Sequence, residues 1–204
     1  MDVRAVRSAL VVLLFVLSTG CASKAVVLAP GPVPMPEAAR QADAVAWSVW
    51  VSQARDVRPE AEAGQRVGTL YTRFQKSPQT AYLEPAPAEY VRSELSRYLL
   101  HKGLEASTSQ GARLLLSIEL EECSVTENPG SVWDEVIVRV GYSVRLADAS
   151  GRELGRVRLK GEAQRKSPGE TKRQAEAALR DALADTFQAL ARADVFQKAV
   201  QGQL

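Results

Sequence analysis

Three stretches in the second half of the chain alternate apolar and polar residues with a strictness that few folds satisfy. Leu114, Leu116, Ile118 and Leu120 alternate with Arg113, Leu115, Ser117, Glu119 and Glu121. Val136, Val138, Val140, Tyr142, Val144 and Leu146 alternate with Glu135, Ile137, Arg139, Gly141, Ser143 and Arg145. Val157 and Leu159 alternate with Arg156, Arg158 and Lys160; Leu154 is out of phase, which places a bulge or strand end near Gly155. A period of two is that of a strand, whose successive side chains point to opposite faces. Asn128-Pro129-Gly130 and Asp148-Ala149-Ser150-Gly151 supply the turns. The three strands form an antiparallel meander with one charged face and one apolar face, and the apolar face must be covered.

Two helices are available to cover it. Between Pro87 and Leu100, Val91, Leu95, Tyr98 and Leu99 recur at the spacing of one helical face, and Gly103 supplies the left-handed position that ends the helix. Ser167-Pro168-Gly169-Glu170 has the form of a capping box with proline in the first turn. Ala175, Ala178, Leu179, Ala182, Leu183, Thr186, Phe187 and Leu190 then mark one face of the helix behind it. Upstream, Val45, Trp47, Val49 and Val51 alternate with Ala46, Ser48, Trp50 and Ser52, a further strand that stops before Pro59. The order β-α-β-β-β-α predicts an α+β two-layer sandwich, a four-stranded mixed sheet with two helices on one face and a right-handed crossover. Residues 59–84 carry the weakest pattern. A short strand or hairpin near 66–73 fits them, and a long loop there would be the first place to look for recognition.

The start of the chain is of another kind. Arg4 and Arg7 precede the apolar run Ala9–Leu17, which is too short to span a bilayer and has the layout of a secretory signal peptide. Leu17-Ser18-Thr19-Gly20-Cys21 resembles the lipobox of bacterial lipoproteins. The resemblance implies cleavage after Gly20, diacylation of Cys21 on sulfur and an acylated N-terminus. A plain signal peptide with an incidental cysteine and an uncut anchor are the alternatives. Residues 21–43 contain Pro30, Pro32, Pro34 and Pro36 and no apolar period, which predicts an extended tether rising about 3.1 Å per residue. An arm lying along the domain is the alternative. The expected organisation is a signal peptide over 1–20, lipidated cysteine and tether over 21–43, and one domain over 44–204. Ala22 and Ser23 follow the cysteine; by resemblance to enterobacterial lipoproteins, the absence of aspartate there favours the periplasmic face of the outer membrane.

Charge and motifs exclude several functions. The chain carries a net +2, of which Arg4 and Arg7 against Asp2 account for +1, so the remainder lacks the concentrated basic patch of a nucleic-acid binder. With Cys21 acylated, Cys123 has no partner for a disulfide. Phosphate-loop, nucleophile-elbow, H-E-x-x-H and C-x-x-C signatures are absent, and His101 is the only histidine, which excludes zinc sites needing two or three imidazoles. No cofactor or metal is implied, and the chain is expected to be non-enzymatic. Glu119 and Glu121, about 7 Å apart along one strand face, have the spacing of a glycosidase carboxylate pair. Arg139, Arg145 and Arg158 across that face favour a solvated charge lattice instead. Trp50, Leu115, Trp133 and Ile137 interrupt the polar side. They are the candidate surface for an envelope protein partner, unless the segment 59–84 folds over them.

The lipobox, the proline-rich stretch, a first strand ending in Asp56-Val57-Arg58-Pro59, the glycine-containing loop and the helix Tyr90–Gly103 together resemble the YajG-type family of small bacterial lipoproteins. Val144-Arg145-Leu146-Ala147-Asp148-Ala149-Ser150-Gly151-Arg152 and the alanine-rich helix beyond it are also similar to auxiliary lipoproteins of ABC-type transport systems. The resemblance covers about residues 44–192. It implies a membrane-anchored domain without a catalytic constellation, binding a protein or envelope component or serving a lipid transporter.

Overall fold

The structure, a computed structural model, describes residues 25–35, 48–59, 64–72, 75–104, 108–130, 133–168 and 170–192. Its strands are β1 (Val26–Leu28), β2 (Val49–Asp56), β3 (Arg66–Thr72), β4 (Gln75–Leu83), β5 (Leu114–Asn128), β6 (Asp134–Asp148) and β7 (Glu153–Ser167). The helices are α1 (Pro87–His101) and α2 (Thr171–Arg192).

The expected meander is β5-β6-β7, antiparallel throughout. Leu116 faces Leu146, Ile118 faces Val144 and Leu120 faces Tyr142, all buried. At Glu121 the register shifts, and the buried positions change from even to odd numbers: Cys123, Val125 and Glu127 continue the face that Leu114–Leu120 began. A bulge adds one residue, so it corrects a change of parity that would otherwise turn the apolar set to water. The irregularity expected near Gly155 is a second register shift, at Leu154.

Both helices lie on the apolar face. α1 buries Tyr90, Val91, Leu95, Tyr98 and Leu99; α2 buries Ala175, Ala178, Leu179, Ala182, Leu183, Phe187 and Leu190. They meet where Tyr98 stacks on Phe187, ring centres 5.0 Å apart. The hydroxyl of Thr186 donates to the Leu183 carbonyl, so the buried Tyr142 hydroxyl is the donor to Thr186, at 2.8 Å. Small residues bring α2 close to the sheet: a methyl group on Gly161 would stand 1.9 Å from the Ala182 carbonyl oxygen. α2 begins later than its expected cap, because Ser167 pairs with Asp134 as the last residue of β7.

The sheet is larger than expected. It has seven strands, not four, in the order β1-β4-β3-β5-β6-β7, with β2 also paired to β5. β2 and β5 are parallel, as the sequence implies, but the chain between them passes through β3 and β4 as well as α1. The illegible segment 59–84 supplies β3 and β4, which extend the sheet sideways and do not fold over Trp50 and Leu115. Two residues disguise them. Gly68 allows β3 to approach β5 so closely that a Cβ would meet the Val125 carbonyl oxygen at 1.9 Å. Pro78 stands on the part of β4 that β1 does not cover, an edge where a missing N–H costs no ladder bond.

Of the expected tether over 21–43, residues 21–24 and 36–43 lie outside the described residues, and the part that is described is no spacer. Residues 25–35 belong to the domain. β1 pairs in parallel with β4, and Leu28 and Val33 are buried. The Val33 N–H donates to Glu94 Oε2 at 2.9 Å, Arg97 donates to the Val33 carbonyl at 2.5 Å, and the Ala29 N–H donates to Glu176 Oε1 at 3.0 Å. Side chains of both helices thus hold a backbone whose prolines leave few N–H groups for a ladder.

Leu28→Ala is expected to cost about 2–5 kcal/mol in urea unfolding, as for other buried leucines; an unchanged midpoint would return this segment to the tether. Gly161→Ala is expected to lower stability by about 1–3 kcal/mol through overpacking against α2, measured the same way.

Candidate functional site

β5 shares one edge between two neighbours. β2 pairs with Leu114–Leu120 and β3 with Val125–Thr126, leaving Glu121–Ser124 without a strand on that side. Arg58, just past the end of β2, fills the junction. Its Nε and Nη2 donate to the two carboxylate oxygens of Asp56 at 2.9 and 2.7 Å. Nη1 donates to the carbonyls of Arg66 at 3.0 Å and Cys123 at 3.1 Å, and Nη2 also to that of Gly64 at 3.2 Å. A buried guanidinium is tolerated only when paired and hydrogen-bonded in this way. The segment Asp56-Val57-Arg58-Pro59 therefore ties the end of β2 to the start of β3.

Beside this tie lies a cleft of about 450 Å³, lined by Arg66, Thr69, Tyr71, Glu122, Cys123 and Glu127 among others. Burial pushes the Cys123 thiol up to about 12, so it is not a thiolate at neutral pH. Burial likewise pushes the Glu127 carboxyl up to about 7. Its Oε2 accepts the Tyr71 N–H, while Oε1 has no hydrogen-bond partner among the described residues. His101 is exposed at the end of α1. The cleft thus offers the carboxyls of Glu121, Glu122 and Glu127 and several hydroxyl groups, and no histidine lines it beside the thiol. Among the described residues no three His, Cys, Asp or Glu side chains gather as a metal ion would need.

The carboxylates of the charged face are engaged. Glu119 pairs with Arg156 at 3.2 Å, and Glu121 pairs with Arg158 and accepts the Ser143 hydroxyl. The Ser143 bond holds the Glu121 carboxyl below its usual range, the opposite of the raised value a general acid needs. Arg139–Glu162, Arg145–Glu153 and Lys166–Glu135 continue the lattice.

The four apolar interruptions separate into two pairs. Trp50 and Leu115 are register neighbours, both half-buried. Ile137 faces Thr126, and Trp133, 55% exposed, precedes β6 at the same end. Leu115 and Thr126 are eleven residues apart on β5, about 35 Å at strand rise, so the four do not form one patch. Cys21 lies outside the described residues. Glu127 was recoverable from the sequence, since Cys123 and Val125 set a phase that it continues; Arg58 was not, because beyond Asp56 it binds the carbonyls of Gly64, Arg66 and Cys123, which only the folded sheet brings together.

No family model matches the chain, and no curated protein does. Its fold is similar to that of a Xanthomonas campestris protein of family DUF330, with 15% identity, 87% of this chain and 96% of that one covered, and a TM-score of 0.57. A minor lipoprotein from Acinetobacter baumannii is also similar, with 17% identity over 56% of this chain and 88% of that one, at a TM-score of 0.40. A putative lipoprotein from Caulobacter crescentus gives 19% identity over 56% and 82%, at 0.37. At these identities the first likeness is one of fold. No helix among the described residues is long and apolar enough to cross a membrane.

Glu127 generates a pH prediction. Its folded value lies above its ordinary 4.5, so the folded protein holds the proton longer and stability falls as pH rises from about 4.5 to about 7. Glu127→Gln removes that loss. It is expected to stabilise the protein by about 2 kcal/mol at pH 8 and not at pH 4, read from urea unfolding at both; a gain equal at the two pH values would contradict it.

Proposed function

We propose that the chain is a lipoprotein of the bacterial envelope, acylated at Cys21 and held at the periplasmic face of the outer membrane, whose domain binds a protein or envelope component without catalysing a reaction. The observation that carries this is the lipobox-like Leu17–Cys21 followed within five residues by β1, an integral strand of the domain. An anchor joined so directly to a folded sheet serves to place that sheet. The chemistry of the described residues agrees: the charged face is spent in cross-strand ion pairs, and the cleft cysteine is protonated. The half-buried Trp50–Leu115 pair, at the end of β5 far from Trp133, is the proposed contact for the partner.

An auxiliary lipoprotein of an ABC-type lipid transport system is the second reading. What favours it is that the segment Val144–Arg152, which carries that resemblance, is a well-formed hairpin between β6 and β7, with Asp148 accepting from Ser150 and Arg152 across the turn. A permease or substrate-binding protein retained with the purified complex would select it.

Cys21→Ser is expected to abolish incorporation of radiolabelled palmitate and to release the protein from membranes. Undiminished labelling would contradict the anchor. Photocrosslinking from position 50 in the native envelope is expected to capture a specific protein, and the position 133 variant to capture none.

A further inference from the structure

We propose that the end of the sheet bearing the β5–β6 turn rests on the bilayer, with Trp133 in its headgroup region; this rests on acylation of Cys21. The argument is one of register. Val26 pairs with Ala81, Ala81 with Gly68, Gly68 with Val125 and Val125 with Val138, so these residues form a single row across five strands. Two of the four pairings along that row are antiparallel, which leaves β1 and β6 running in the same direction. Cys21 lies five residues before Val26, a reach of at most about 17 Å. Trp133 lies five residues before Val138, about 16 Å along the strand. Both leave the row on the same side. Twist of about 20–25° per pairing turns β1 and β6 apart by roughly 80–100° over four pairings, so each five-residue extension still advances up to about 12 Å toward the end of the sheet that both leave.

The residues at that end suit a membrane interface. Trp133 is 55% exposed, an indole on a turn with no core to enter, and tryptophan favours the headgroup level, where its ring is half wet and half apolar. Most of the neighbouring charges are paired, Glu135 with Lys166, Asp181 with Arg165 and Glu170 with Arg173, while Asp134 accepts the Gly130 N–H. Such a contact does not depend on anionic lipid and resists salt. The acyl chains supply the affinity, and the indole fixes the orientation.

The acylated protein, reconstituted in phosphatidylethanolamine–phosphatidylglycerol vesicles with brominated chains, tests this. The emission difference between wild type and Trp133→Phe isolates the one indole. Loss of most of that difference signal on brominated lipid, unchanged by high salt, is expected; Trp50→Phe should leave the quenching intact. An unquenched Trp133 in protein that carries its acyl chains and floats with the vesicles overturns the inference and spares the anchor. A crosslink from position 133 to an envelope protein in the native envelope, together with no quenching in the vesicles, overturns it equally. Native protein whose mass shows no acyl group overturns both.

Discussion

One face of three fifteen-residue strands is apolar over most of its length, and it cannot be left in water. At about 25 cal/mol per Å² of apolar surface removed from water, covering that face is the largest favourable term available to the chain. α1 and α2 divide the work, and the Tyr98–Phe187 stack joins their two contacts into one core. The bulge at Glu121 is a condition of this arrangement, since without it the second half of β5 would present Cys123 and Val125 to solvent. The same bulge lies opposite the place where β2 gives way to β3. The core, the Arg58 tie and the cleft therefore share one cause.

That cause was largely legible. Strict alternation with β-branched residues leaves little choice for β5, β6 and β7, and the stripes of α1 and α2 match a one-sided sheet. Where the pattern failed, tertiary contacts had replaced it. β3 reads poorly because Gly68 gives up a side chain so that two backbones can approach. β4 tolerates Pro78 because β1 covers only its last residues. β1 is three residues long, shorter than any periodicity can register, and the chain after it is fixed by Glu94, Arg97 and Glu176 rather than by its own apolar residues. The capping box at Ser167 looked complete because its residue types are right, yet the β6–β7 ladder claims Ser167 first.

The candidate site was legible only in part. Trp50 and Leu115 pair as alternation suggests, but sequence does not show that Ile137 and Trp133 lie at the other end of a strand longer than most. The carboxylates at 119 and 121 have catalytic spacing and structural partners; spacing sees the first and not the second. Glu127 differs from them, being a carboxyl buried in a row of apolar positions beside an open cleft, with one oxygen unpartnered among the described residues.

The most consequential departure from expectation is at the N-terminal side, where a segment with the composition of a spacer is a strand and a pinned arm. With Cys21 acylated as proposed, it would seat beside the bilayer a domain that a spacer would hold tens of ångströms away. Neutron reflectometry of the acylated protein on a supported bilayer measures this directly. The account predicts protein density beginning at the headgroups, with no solvent layer between. A layer of water several tens of ångströms thick beneath the domain would contradict it.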